Sequence, residues 1–127
     1  MKKIIVIGAN GFAGRRILDV LSTDPNYTVT GASLHQDIRT EGKHSFVTAD
    51  LTDYEAIKKM MQGIKPDAVV NCSALSTPDY CEQHHEETFA INVAAVEHLA
   101  QCCEQCNCRL IHLSSDFVFD GKADRLY

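Results

Sequence analysis

The sequence predicts an α/β protein: a doubly wound parallel sheet of about five strands, in the order 3-2-1-4-5, flanked by helices. Three observations predict it. Short apolar, β-branched runs alternate with stretches of helical period, no hairpin signal separates the runs, and the first run ends in a glycine-rich turn that leads straight into a helix. Strands joined by helices in this way call for right-handed parallel crossovers.

The elements follow in order. KIIVI from Lys3 is continuously apolar, as suits a strand covered on both faces, and it ends at Gly8. A helix over Phe12 to Leu21 carries Ile17, Leu18 and Leu21 at helical spacing until Asp24, Pro25 and Asn26 close it. A second strand is expected at Thr28 to Ala32, and a third in SFVTA, ending at Asp50. TADLTD then offers caps for a helix from Tyr54 to Gly63 that buries Ile57, Met60 and Met61. KPDAVVNCSAL reads as a strand ending in small polar residues. The longest helix is expected from Glu86 to Gln105, with Phe89, Ile91, Val93, Val96, Leu99 and Ala100 on its apolar face. RLIHLSS is the last strand.

The 127 residues include 12 Lys and Arg against 17 Asp and Glu, for a net charge of −5, with 45% hydrophobic and 23% charged positions. One domain over residues 1–127 is the expectation. The charges are interleaved, which argues against gripping nucleic acid or an anionic membrane by electrostatics alone. No apolar run approaches the roughly 20 residues of a bilayer span, and Lys2 and Lys3 lead into a strand rather than a secretory leader. A cytoplasmic protein is expected, with its six cysteines as thiols.

Gly8, Gly11 and Gly14 form G-x-x-G-x-x-G between strand and helix. One glycine permits the tight turn, one lets a pyrophosphate lie against the backbone and one lets the helix pack close, while the first helical N–H groups face the anion. Gly8, Asn10, Gly11, Phe12, Ala13 and Gly14 are therefore candidate cofactor-binding residues. A glycine turn with no ligand is the plainer reading.

With later pieces the pattern resembles the extended branch of the short-chain dehydrogenase/reductase family. The matching residues are GANGFAG at Gly8 to Gly14, the pair Asp50 and Leu51, NCSA at Asn71 to Ala74, Asn92, and SSDFVFDG at Ser114 to Gly121. The last segment, with DAVVNCSALS upstream, is similar to the dTDP-4-dehydrorhamnose reductase group of nucleotide-sugar enzymes. A non-catalytic relative, the regulatory subunit of methionine adenosyltransferase, carries similar motifs, and epimerases and dehydratases of nucleotide sugars share the family.

The resemblance implies a Rossmann-like fold, NADP or NAD as cofactor and a nucleotide-sugar substrate, with a homodimer left open. It implies that Asp50 binds the adenine amino group and Leu51 flanks the ring, although Asp50 also reads as a helix N-cap. Cys72, Ser73 and Ala74 would line the ribose and nicotinamide side. Asn92 would belong to the helix beside the active site, or be a satisfied core amide. Ser115 matches the catalytic hydroxyl that hydrogen-bonds the substrate carbonyl, with Ser114 beside it, and a Ser-Ser-Asp turn is the alternative. Phe117 stands where the group often has Tyr, and it offers no hydroxyl toward the sugar.

At the end of the second strand an acid would bind the ribose 2′-OH of NAD, whereas a small or basic residue would admit a 2′-phosphate. Ser33 stands there, which favours NADP. His35 and Arg39 are candidate phosphate partners or solvated loop residues, and Asp37 would be the acid if the strand ended later. Cys103-x-x-Cys106 has zinc-ligand spacing, but on the last turns of a helix the two share a face and end its apolar stripe, so no metal site is expected. His84, His85, Glu86 and Glu87 read as that helix's charged first turn. The resemblance finally implies a Tyr-x-x-x-Lys pair a couple of dozen positions after Ser115. Tyr127 has no Lys four places on, so this sequence is expected to be the N-terminal portion of a longer reductase, inactive alone, with RLIHL an apolar sheet edge.

Overall fold

A computed structural model describes residues 1–39, 41–115 and 119–125. β1 (Lys2–Ile7), β2 (Tyr27–Ser33), β3 (Ser45–Thr48), β4 (Ala68–Asn71) and β5 (Arg109–His112) form one parallel sheet in the order β3-β2-β1-β4-β5. The predicted order is the observed one. β1 lies at the centre, with Lys2–Ile7 registered against Tyr27–Ala32 on one side and Ile4–Ile7 against Ala68–Asn71 on the other. Chain order reverses between β1 and β4, so a crevice opens there at the carboxyl ends of the strands.

Alternate residues of β1 enter two separate cores. Ile5 and Ile7 join Val69, Ile57, Met61, Ala95 and Leu99 under α2 (Tyr54–Ile64) and α5 (Ala95–Gln105). Ile4 and Val6 pack with Ala9, Val29, Val70 and Leu18 of α1 (Phe12–Ser22) on the opposite face. Gly31 of β2 fits this second layer closely: a Cβ there would meet Phe46, Leu18 and Ala9 side chains at 2.8 to 3.1 Å.

The expected long helix is the element that changes most. A separate short helix, α3 (Pro78–Gln83), precedes it, with Thr77 as N-cap and Pro78 in its first turn, where a missing N–H does no harm. The helix proper starts at His85 (α4, His85–Phe89), widens into a π-helical turn at Ala90–Ala94 and continues as α5. The wide turn shifts the helical phase. Phe89 is 59% and Val93 40% exposed, and Ala100 is also exposed, so these three do not supply the buried stripe. Ala95, Leu99, Cys102 and Cys103 do. Cys106 is exposed and does not share the buried face with Cys103.

β5 is an edge strand. Leu110 packs toward α5, but Ile111 is 46% and Leu113 42% exposed on the other side. No described helix is long and apolar enough to cross a membrane.

Candidate functional site

The turn after β1 is built by two glycines that no other residue replaces. Gly8 adopts φ +75°, and a Cβ on it would sit 2.9 Å from the Ser73 amide nitrogen and 3.0 Å from the Cys72 carbonyl carbon. A Cβ on Gly14 would lie 2.0 Å from the Gly8 carbonyl oxygen. The first glycine lets the turn press against the end of β4, and the last brings α1 down onto the turn. Gly8 and Ala9 donate to the Ala32 carbonyl and Gly11 donates back to Gly8, which closes the turn on β2.

What is left open is the start of α1. Gly11, its N-cap, has no side chain to accept a helical N–H, and the first turn contains no acidic residue. Gly11, Phe12 and Ala13 are exposed and Gly14 is buried. The first N–H groups of a helix have no intrahelical acceptor and carry the positive end of its dipole, so this is a place for an anion. Phe12 stands 85% exposed, with the Arg15 guanidinium 6.0 Å from its ring centre.

Other predicted residues are spread around the same sheet end. Asn10 uses its amide inside the protein: Nδ2 donates to the Gln36 carbonyl at 2.8 Å and the His35 carbonyl at 3.3 Å, and Oδ1 accepts from the Ile38 N–H at 3.3 Å. Ser33 ends β2 and His35 is exposed beyond it. Asp37 is not a free ribose acceptor, because one carboxylate oxygen takes Arg39 and the other takes His44 Nε2 at 2.6 Å. Burial pushes its pKa up, but the hydrogen bonds from His44 and from the Arg39 main and side chains outweigh this and hold it below the ordinary value.

Asp50 is exposed, and its Oδ1 accepts the hydroxyl and amide of Thr52, which keep the carboxyl below its usual pKa. It does not cap α2. Asp53 does, accepting from the Ala56 N–H at 3.2 Å. Leu51 is 8% exposed, and its side chain belongs to the core with Ile57 and Met61.

Beyond β4, Cys72 and Ser73 are half-buried and Ala74 is exposed. Burial raises the Cys72 pKa, so this thiol is no ready nucleophile. Asn92 sits in the π-helical turn and holds the loop after β4 with both ends of its amide: Oδ1 accepts from the Leu75 N–H at 2.8 Å, and Nδ2 donates to the Leu75 carbonyl at 2.9 Å. Its geometry is that of a satisfied amide that shapes the crevice wall. Ser114 and Ser115 follow β5 and are exposed. Phe117 and Tyr127 lie outside the described residues.

The sequence reading placed Asn71 in a matching motif but gave it no role. It is fully buried at the end of β4, where its Oδ1 accepts from the Ser73 N–H at 3.1 Å and its Nδ2 meets His112 Nδ1 at 3.2 Å. The signal was present in DAVVN, since an amide ending a buried strand needs partners. The arrangement as a whole defines a doubly wound, Rossmann-like fold, with a glycine turn and a helix start without a side-chain cap at the switch point.

Comparison with known proteins agrees. The chain belongs to the family described as RmlD substrate binding domain, matched over residues 1–127. It is 34% identical over 122 residues to the probable low-salt glycan biosynthesis reductase Agl14 of Haloferax volcanii, covering 96% of this chain and 40% of that protein. It is 30% identical over 120 residues to methionine adenosyltransferase 2 subunit beta of Xenopus laevis, covering 94% of this chain and 34% of that one. Among solved structures, the dTDP-4-dehydrorhamnose reductase of Clostridium acetobutylicum superposes with a TM-score of 0.80 at 31% identity, over 97% of this chain and 39% of the other. The chain thus spans well under half the length of these relatives.

Among the described residues no group of three or more His, Cys, Asp or Glu gathers in a way that could hold a metal ion.

Proposed function

We propose that this chain is the coenzyme-binding part of an NADP-dependent reductase that acts on a nucleotide-activated 4-keto sugar. The observation that carries the reading is the start of α1, without a side-chain cap and packed on a glycine turn that itself presses against the end of β4 at the switch point. The cradle fits a dinucleotide, because the space a Cβ at Gly8 would need is taken by the Cys72 and Ser73 backbone, that at Gly14 is taken by the turn's own backbone, and the first amides of α1 have no side-chain acceptor. In this reading the amides of Phe12, Ala13 and Gly14 hold the diphosphate. Asp50, ionised at neutral pH, accepts the adenine amino N–H. Cys72, Ser73 and Ala74 form a low wall beside the ribose and nicotinamide. Ser33, with no acid at its position, leaves room for a 2′-phosphate.

The bound nicotinamide supplies hydride. Ser115 donates its hydroxyl hydrogen bond to the substrate carbonyl, stabilising the oxygen as charge builds on it. The proton for that oxygen comes from outside this chain's assigned residues, so the chain alone binds coenzyme without turnover.

The likeness to methionine adenosyltransferase 2 subunit beta supports a second reading, a dinucleotide-binding regulatory subunit. Thermal unfolding with NADPH and with NADH tests the shared part. A coenzyme present at 100 times its Kd adds about 2.7 kcal/mol, and NADPH is expected to protect more strongly. No protection by either one refutes the proposal. Reduction of a dTDP-4-keto sugar by the protein at the full length of its relatives separates reductase from regulatory subunit.

A further inference from the structure

Arg39 follows β2, and its side chain is only 13% exposed. Its guanidinium is engaged on every edge. Nε donates to Asp19 Oδ1 at 2.9 Å, one terminal nitrogen donates to Asp37 Oδ1 at 3.2 Å, and the other donates to the Arg15 carbonyl at 2.9 Å. Both terminal nitrogens also reach the Ala9 carbonyl at 3.4 Å. Ala9 directly follows the first glycine of the turn and Arg15 directly follows the last. One planar fork therefore ties the start of the turn to the first turn of α1, which a guanidinium can do and an ammonium cannot.

The brace is itself anchored. Asp37 also accepts the Arg39 backbone N–H at 3.0 Å and is backed by His44, whose side chain is 4% exposed. Asn10 adds a tie in the opposite sense, from the turn to the segment after β2. A 2′-phosphate could take this guanidinium only by displacing Asp19, Asp37 or the main-chain carbonyls.

We infer that Arg39 is a positioning residue that holds the Ala9–Arg15 turn in its anion-binding shape and serves NADPH and NADH alike, rather than a ligand of the 2′-phosphate. The coenzyme arm of the test rests on the proposed function. The arm without coenzyme does not.

Arg39→Ala and Arg39→Lys in the 127-residue chain test it. Without coenzyme, amide exchange across residues 9–15 is expected to quicken about tenfold in both variants while β4 and α5 keep their protection. The Kd values for NADPH and NADH are expected to rise together by about tenfold, with their ratio changed less than about twofold, and methylguanidinium is expected to restore part of the loss in Arg39→Ala. Unchanged exchange in the turn overturns the inference, and so does a loss confined to NADPH. If Arg39→Ala does not fold, Asp19→Asn removes one anchor at an exposed position and should quicken the same amides by a smaller factor, and no change there would count against the brace. Should the native chain bind neither coenzyme, the proposed function fails, and exchange in the turn still decides the role of Arg39.

Discussion

Two helices, α1 and α2, start at the carboxyl end of the same sheet, one after β1 and one after β3, and they start differently. α2 completes itself: the Asp53 carboxylate accepts from the Ala56 N–H, and Glu55 adds a second negative charge in the first turn. α1 has a glycine at its N-cap, no side-chain cap and no acid in its first turn. Both helices face the same need, because the first N–H groups and the positive dipole end require an acceptor. α2 answers it from within. α1 spends its sequence on glycines that bring the turn close to β4 and leaves its first N–H groups without a side-chain acceptor, the place where the proposed function puts a diphosphate.

The largest expected effect comes from breaking α1's side of this contrast. Gly14→Ala places a methyl group 2.0 Å from the Gly8 carbonyl, where only backbone could move. Denaturant unfolding should show a loss of about 3 kcal/mol, together with loss of NADPH protection. Asp37→Asn loosens the brace beside the turn and is expected to cost about 1.5 kcal/mol near neutral pH. Because the folded pKa of Asp37 lies below 3.8, its contribution is complete above that value and is lost as pH falls through the lower folded one. The native chain's advantage over Asp37→Asn should therefore be constant above about pH 5 and shrink under acid, as a series of melts would show.

On the other side of the contrast, Asp53→Ala removes the cap of α2 and should cost about 1 kcal/mol without altering coenzyme affinity. Ala13→Glu gives α1 the acid it lacks. Its effect on stability is the smallest, a gain of about 0.5 kcal/mol in the melt, but it should weaken NADPH binding by repelling the diphosphate. Opposite signs in one variant would sharpen the comparison, and a variant that binds as tightly as the native chain would break it.

The strand order and the glycine turn were legible because both are written locally, in apolar runs and in the spacing of Gly8, Gly11 and Gly14. What stayed hidden depends on distant contacts. Asn10 reads as a cofactor contact, and Arg39 as a phosphate partner or a solvated loop residue, until β2 brings the segment after it over the turn. Asp50 and Asp53 both fit a cap in TADLTD, and only the backbone path selects Asp53. The π-helical turn left no periodic mark, so Phe89 and Val93 were assigned to a buried face that the widened turn rotates away. Six residues at Pro78–Gln83 are too few for an apolar period, and Thr77 followed by Pro78 was their only signal.

The most direct test follows the backbone amide resonances of Phe12, Ala13 and Gly14 while NADPH is titrated into the chain. Saturable shifts at these three, larger than at the start of α2, are what the account predicts. Coenzyme binding that leaves them unmoved would contradict it.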